Sequence, residues 1–370
     1  MPHQAGLSEL IAAAQQLEVE DAYAAGAVGY MTAVLVQTTL PHSAKAATGS
    51  MFHRQNGDHH LILTDALGVG LPYGTYPRLI LLWLCTEAVR IQSRTLPLGN
   101  SLSEWMRALD VIPAGGPKGT IRRLHDQTIR LFSATIGYRV DYAGRPAKGS
   151  LRHVADDFAL FWEPRRVDQS TLWPSYVALS ERFYADVVGR AVPVDVRAIR
   201  LLKGSSLRLD LYTWLTYRML TLRRPTEIPW AALALQFGSE FRQLRDFKAA
   251  AIEHLRRVLA VYPARVEETP RGLKLFPSSP HVQERPSRRR ALSVQRPSSS
   301  TPPAQHLPEP RSANSAGEPS GASPEQPGSV RRPRWCGQCM ETTRRREDPA
   351  TGADLGRCPD CHPEPLLISG

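Results

Sequence analysis

Between Pro280 and Pro333 the chain holds 11 of its 31 prolines, many serines and no aromatic residue. Such a composition cannot bury enough apolar surface to offset the entropy of ordering it, so the stretch reads as a disordered linker. No packed core can run through it. The remainder must fold as separate pieces, a long block before the linker and a short module at residues 334–370. Inside the linker Arg285, Arg288, Arg289, Arg290, Arg296, Arg311, Arg331 and Arg332 outnumber Glu284, Glu309, Glu318 and Glu325. The run Arg288 to Arg290 suits phosphates, or equally a solvated basic tether.

The charge excess extends to the whole chain of 370 residues, where 46 Lys+Arg oppose 35 Asp+Glu and leave a formal +11. An inert basic surface is one reading of that excess; attraction for polyanions, nucleic acid first among them, is the other. The hydrophobic fraction of 42% is that of an ordinary globular protein. Met1 to Leu10 lacks the layout of a signal peptide, and the longest apolar run, Leu79 to Cys85, is too short to cross a bilayer. A cytoplasmic protein without a membrane partner is expected.

Four of the five cysteines fall in the last 35 residues, as Cys336-x2-Cys339, eighteen residues, then Cys358-x2-Cys361. Each CxxC can turn two thiolates toward one ion, and four soft sulfurs suit a single tetrahedral Zn²⁺. Arg344 to Arg346, Asp348-Pro349 and Gly352 between the pairs read as a ribbon hairpin. The apolar content is only Trp335, Met340 and Leu355, so metal would supply most of the folding energy. The zinc is structural, because four cysteines leave no open coordination position. An iron–sulfur cluster or a disulfide pair is the alternative. Cys85, alone in an apolar run, reads as a buried free thiol.

The long block repeats one order of elements. Pro77 to Arg94 reads as a helix and Thr95 to Leu98 as a strand. Ser101 with Glu104 makes a capping box for the next helix. After Gly115-Gly116, Thr120 caps a helix to about Ile136, and Gly137 to Tyr142 with Val154 to Trp162 reads as a hairpin. Later, Leu207 to Leu222 is a helix, Glu227 to Trp230 is extended, and Ala231 to Phe237 is a short helix closed by Gly238. Glu240 to Ala260 is a long helix, followed by a hairpin turning at Thr269-Pro270-Arg271. Helix, strand, helix, turn, helix, hairpin is the order of a winged helix. The expected class is α+β, with an N-terminal helical segment (1–50), two tandem winged-helix domains (51–163 and 164–279), the linker (280–333) and a small zinc-ribbon-like module built on four cysteines (334–370). The apolar stretch Ala22 to Val36 is expected to be helical and a candidate dimer seam.

Projected at about 100° per residue, the 240–260 helix puts Phe241, Leu244, Phe247, Ala251, Leu255, Val258 and Leu259 on one face. Arg242, Arg245, Arg256 and Arg257 cluster opposite, with Ala249 and Glu253 between them. Any amphipathic surface helix places arginines outward. The short helix before this one and the basic hairpin after it (Arg265, Arg271, Lys274) favour entry into a DNA major groove. In the first copy Arg122, Arg123 and Arg130, with Lys118 before the cap, form a weaker counterpart, diluted by Asp126 and Gln127. It reads bases less well, and suits phosphates or a dimer contact.

No catalytic constellation emerges. Gly68-Val69-Gly70 lacks the lysine and helix of a phosphate loop, and Asp58, His59 and His60 read as a surface hairpin tip. Asp156 and Asp157 are adjacent on a strand and point to opposite faces. The chain is expected not to be an enzyme.

Several segments resemble the RepA family of plasmid replication initiators: Gly29-Tyr30-Met31, Leu40-Pro41-His42-Ser43, Val69 to Gly74, Pro77-Arg78-Leu79 and Thr86 to Arg90. So do Leu98 to Leu102, Gly115-Gly116, Arg122-Arg123-Leu124, Phe161-Trp162, Leu211 to Arg218 and Trp230 to Gly238. The resemblance covers about Gly29 to Ser279 and omits the linker and cysteine module. It implies two winged helices binding double-stranded DNA at repeated origin sites (iterons), opening of adjacent AT-rich DNA, and recruitment of the host initiator and replicative helicase. It also implies a monomer in equilibrium with a homodimer that represses its own operator. A winged-helix transcriptional regulator (autorepressor) without initiation activity is the alternative.

Overall fold

The computed structural model describes residues 6–18, 20–116, 119–141, 148–238, 240–283, 345–347 and 354–357. The chain forms two compact units, Met1–Arg296 and Pro297–Gly370. The linker from residue 284 onward and the four cysteines of the tail lie outside the described residues. The linker's first residues do not follow the reading as disordered, since Val282 is buried and His281 bonds the Tyr212 hydroxyl at 2.7 Å.

The first unit opens with α1 (Leu7–Glu18), β1 (Val28–Thr32) and α2 (Ala33–Gln37). Apolar content alone predicts one helix over Ala22 to Val36; a strand takes its centre. Val28 and Thr32 are β-branched, and β1 pairs antiparallel with β9 (Ala191–Asp195), Tyr30 opposite Pro193. A side chain at Gly29 would lie 2.8 Å from a Val196 methyl and 3.0 Å from one of Leu82, so the pairing needs its bare backbone.

β2 (Met51–Asn56) and β3 (His59–Asp65) form a hairpin, followed by α3 (Thr75–Ile91), β4 (Thr95–Pro97) and α4 (Leu102–Ala108). The Ser101 hydroxyl accepts from Glu104 N at 3.2 Å. The Glu104 carboxylate reaches back to Asn100 N at 2.8 Å, one residue earlier than a standard box. α5 (Thr120–Ser133) is capped from Gly119 rather than Thr120. Thr120 is occupied with the preceding loop, donating to Ile112 O at 2.7 Å and accepting from Ala114 N at 2.8 Å.

β5 (Ala134–Val140) starts where α5 stops, and β6 (Lys148–His153), β7 (Ala155–Ala159) and β8 (Tyr176–Leu179) follow. The predicted hairpin of Gly137–Tyr142 with Val154–Trp162 does not form. β5 pairs instead with β3 and β6, making a four-stranded sheet in the order β2-β3-β5-β6. β7 belongs to a second sheet, β4-β8-β7. β8 lies beyond residue 163, so the boundary drawn between 163 and 164 cuts this sheet.

α6 (Glu181–Arg190), β9, α7 (Val196–Leu202) and α8 (Ser206–Thr221) lead to β10 (Thr226–Pro229), α9 (Trp230–Phe237) and α10 (Leu244–Val261). β11 (Val266–Glu268) and β12 (Gly272–Leu275) close the unit in a sheet ordered β10-β12-β11. Two equivalent series result: α3, β4, α4, α5, β7, β8 and α8, β10, α9, α10, β11, β12. In both, the last strand lies between the other two. The four-stranded sheet comes from two hairpins that the second series lacks, β2–β3 ahead of the first series and β5–β6 inserted within it.

α3 and α8 are apolar nearly all round because they lie inside, with Leu79 to Leu82 and Leu207 to Leu215 buried. Both carry buried charge, Arg78 on α3 and Arg208 and Asp210 on α8. Arg78 of α3 forks onto Asp210 of α8, Nε to Oδ1 at 2.7 Å and one terminal nitrogen to Oδ2 at 2.6 Å. Its remaining donors reach the carbonyls of Leu40, Pro41 and Gly74. Burial pushes the Asp210 carboxyl up, and the Arg78 guanidinium pulls it back down. Cys85 is a buried free thiol, its pKa pushed up to about 12 by burial.

Five histidines give the fold a pH limit, each held below the ordinary 6.5 chiefly by burial. His53 and His59 are on the β2–β3 hairpin. His42, His254 and His281 lie deeper; nearby arginines add to the effect at His42 and His254, while Asp195 opposes it at His281. The unfolded chain therefore takes up protons before the folded one does, and stability present above about pH 6.5 is lost as pH falls below it. Urea midpoints between pH 7.5 and 5.0 should drop. A triple His→Gln variant that folds should show a flatter profile.

In the second unit β13 (Arg345–Glu347) and β14 (Asp354–Arg357) pair antiparallel, Arg345 opposite Arg357.

Candidate nucleic-acid interface

α10 starts at Leu244, so Arg242 lies in the turn before it, where it remains exposed. The turn depends on Gly238: a side chain there would meet the Phe247 ring at 2.8 Å and Ala234 Cα at 3.0 Å. Phe247, Ala251, Leu255, Val258 and Val261 are buried beneath the helix. Leu244, assigned by periodicity to the same face, is exposed because the helix begins with it.

On the outer face Arg245, Ala249, Glu253 and Arg256 are all exposed. They fall at i, i+4, i+8 and i+11, a single stripe about 16 Å long. The Arg245 side chain is 80% exposed, with Nε 3.6 Å from its neighbour Asp246. Arg257 departs from the predicted cluster. Its side chain is 21% exposed, with Nε 3.7 Å from Glu253, and its charge helps to depress the Arg208 pKa after burial has done so.

The β11–β12 hairpin presents Arg271 at its turn, 85% exposed and 3.5 Å from Glu227. Lys274 is less available. It stands in register between Glu227 and Glu267, with its ammonium 5.2 Å from the centre of the Phe276 ring. Periodicity did not single out Lys248, which reaches Glu268 at 3.2 Å and lies over Trp230 at 5.3 Å, tying α10 to the hairpin and to α9. Its charge is visible in the sequence, but its partners lie on other elements.

On α5, Arg122 and Arg123 are exposed, with Arg122 3.9 Å from Asp126. Arg130 does not belong to the outer face. It turns back to donate to Leu71 O at 3.3 Å and stands 5.5 Å from the centre of the Tyr73 ring. It fills the space a side chain at Gly70 would need. Lys118 lies outside the described residues, as do Cys336, Cys339, Cys358 and Cys361.

The sites weighed for chemistry are occupied otherwise. Asp58 is at the β2–β3 turn, while His60 bonds His53 across the hairpin at 3.1 Å and reaches Asp141 at 3.3 Å. Asp156 accepts from Arg94 and Asp157 from the Tyr176 hydroxyl, both at 2.7 Å. The loop between β7 and β8 exposes Leu172 and Trp173. Charge and periodicity gave that pair no role.

Two crystal structures of RctB are similar to the chain. One, of domains 2 and 3 as selenomethionine derivatives, has 11% identity and a TM-score of 0.42, covering 67% of this chain and 97% of that one. The other, of domains 2–3, has 13% identity and a TM-score of 0.39, covering 65% of this chain and 94% of that one. No curated protein matches the sequence. Among the described residues no helix is long and apolar enough to cross a membrane. Residues 71–230 match the family described as "Plasmid encoded RepA protein", from the loop before α3 to the first residue of α9, and over that span the RepA resemblance of the sequence is shown.

Proposed function

We propose that the chain is a sequence-specific DNA-binding initiator of plasmid replication. It uses two winged helices to bind repeated origin sites, promotes opening of adjacent DNA and recruits the host initiator and helicase. The observation that carries this reading is the duplicated series, in which α5 and α10 hold the same place in the element order and the two three-stranded sheets share one strand order. α10 is the principal reading helix: its exposed arginine stripe can fork onto guanine edges, and Ala249 leaves room for close approach. α5, with Arg122 and Arg123 facing out and Arg130 turned in, contacts phosphates. The reading assigns no bond-making step to this chain.

Footprinting on the DNA flanking the gene, at physiological salt, tests the proposal. Evenly spaced protection over direct repeats, one or two helical turns apart, is expected. Protection of a promoter palindrome alone would identify an autorepressor instead. Absence of sequence-specific protection would overturn DNA readout altogether.

The tail is proposed to hold one structural zinc on Cys336, Cys339, Cys358 and Cys361. Support comes from the donor set and from the β13–β14 hairpin between the two CxxC pairs, which is the geometry needed to bring them together. The zinc would supply folding energy to a module with little core of its own. Metal analysis of the full chain should find about one zinc per chain, lost in a Cys336→Ser/Cys339→Ser variant. Iron with visible absorbance, or no metal, would refute this.

A further inference from the structure

A hollow of about 120 Å³ opens where α3, the end of α4 and α7 meet, far in sequence from the α10 stripe. Its floor is apolar: Leu79, Leu82 and Trp83 from α3, Leu109 from the end of α4, Val196 and Ile199 from α7. Its lip is charged. Lys203 Nζ donates to the Asp110 carboxylate at 2.5 Å and to its carbonyl at 2.6 Å. Arg200 comes no nearer than 4.0 Å to the same carboxylate and makes no hydrogen bond among the described residues. Two cations thus share one anion at the edge of a greasy hollow.

Size limits the occupant. Ligand pockets for drug-sized molecules run from roughly 300 to 1,000 Å³. An apolar cavity of about 150 Å³ takes one benzene ring. This hollow therefore suits a single branched aliphatic or small aromatic side chain. Charge limits it further: the surplus cation and Arg200's unused fork call for a carboxylate beside that side chain. We infer that the hollow between α3, α4 and α7 docks an acidic segment of a partner protein, a leucine-sized anchor entering it and a neighbouring aspartate or glutamate taking Arg200. A buried anchor ringed by weaker contacts is the usual form of a binding hot spot. The inference does not depend on DNA binding.

The test uses the full-length protein, methyl-labelled at isoleucine and leucine, without DNA. The probe is a capped ten-residue peptide with one leucine flanked by aspartates, and its control replaces the aspartates by lysines. Expected are methyl shifts confined to Leu79, Leu82, Leu109 and Ile199, and binding at least about tenfold weaker for the lysine peptide. Arg200→Glu should weaken the acidic peptide by a similar factor. Ala108→Trp, at the lip, should abolish binding while leaving the melting temperature unchanged. Equal affinity for the two peptides, shifts elsewhere, indifference to both variants, or no binding would overturn the proposal. So would concentration-dependent shifts of the same methyls without peptide, which would make a second copy of the chain the occupant.

Discussion

Replacing Arg78 by methionine is expected to lower the unfolding free energy by about 3–5 kcal/mol, the usual cost of removing one partner of a buried ion pair. The loss has two parts. Asp210 would be left buried and without its counter-ion, and the carbonyls of Leu40, Pro41 and Gly74 would lose their donors. A double variant, Arg78→Met with Asp210→Leu, should recover a good part of the stability, because it removes the stranded charge as well. Urea denaturation of both proteins decides the matter. A single variant as stable as the parent would mean that water reaches this seam.

The second large effect concerns DNA. Arg245→Ala and Arg256→Ala should each weaken specific binding by about 1–3 kcal/mol if each arginine reads a base edge, and the loss should be confined to one position of the site. Arg122→Ala on α5 should behave differently, weakening all sequences alike and reducing the salt slope by about one unit. Binding to a panel of single-base site variants, at two salt concentrations, separates the cases. A uniform loss for Arg245→Ala would move α10 from readout to phosphate contact. Arg130→Ala should leave affinity nearly unchanged and instead loosen the loop around Gly70 and Leu71.

Local signals carried much of this architecture. The second series, from α8 to β12, follows the order written in its helix periods, the Gly238 turn and the Thr269 to Arg271 turn. The Ser101–Glu104 box marked α4 for the same reason: its cause lies within four residues. Pairing between distant segments was not legible. Nothing near Val28 announces that β9, more than a hundred and fifty residues away, will pair with it and draw the apolar stretch into a strand. Likewise 148–153 reads as a continuation of a Gly- and Lys-containing loop until β5 offers it a partner. For the interface, helical period correctly exposed Arg245, Ala249, Glu253 and Arg256. It misjudged Arg130 and Arg257, whose long side chains turn to partners on other elements or along the helix.

The junction between α5 and β5 has a mechanical consequence. Helix passes into strand without an intervening residue, β5 is hydrogen-bonded to β3 and β3 to β2, and β2 packs against α9. The Gln236 side chain of α9 donates to Gln37 O, and Asn56 at the end of β2 donates to the same carbonyl. The two basic helices are therefore joined like the jaws of a caliper, through a strand ladder from β5 to β2 and packing from β2 through α9 to α10. On the proposed reading, in which both helices engage one duplex, their contacts should favour one helical phase. Five extra base pairs between those contacts, about half a turn, would carry one of them to the far side of the DNA and should weaken binding, whereas about ten should restore it.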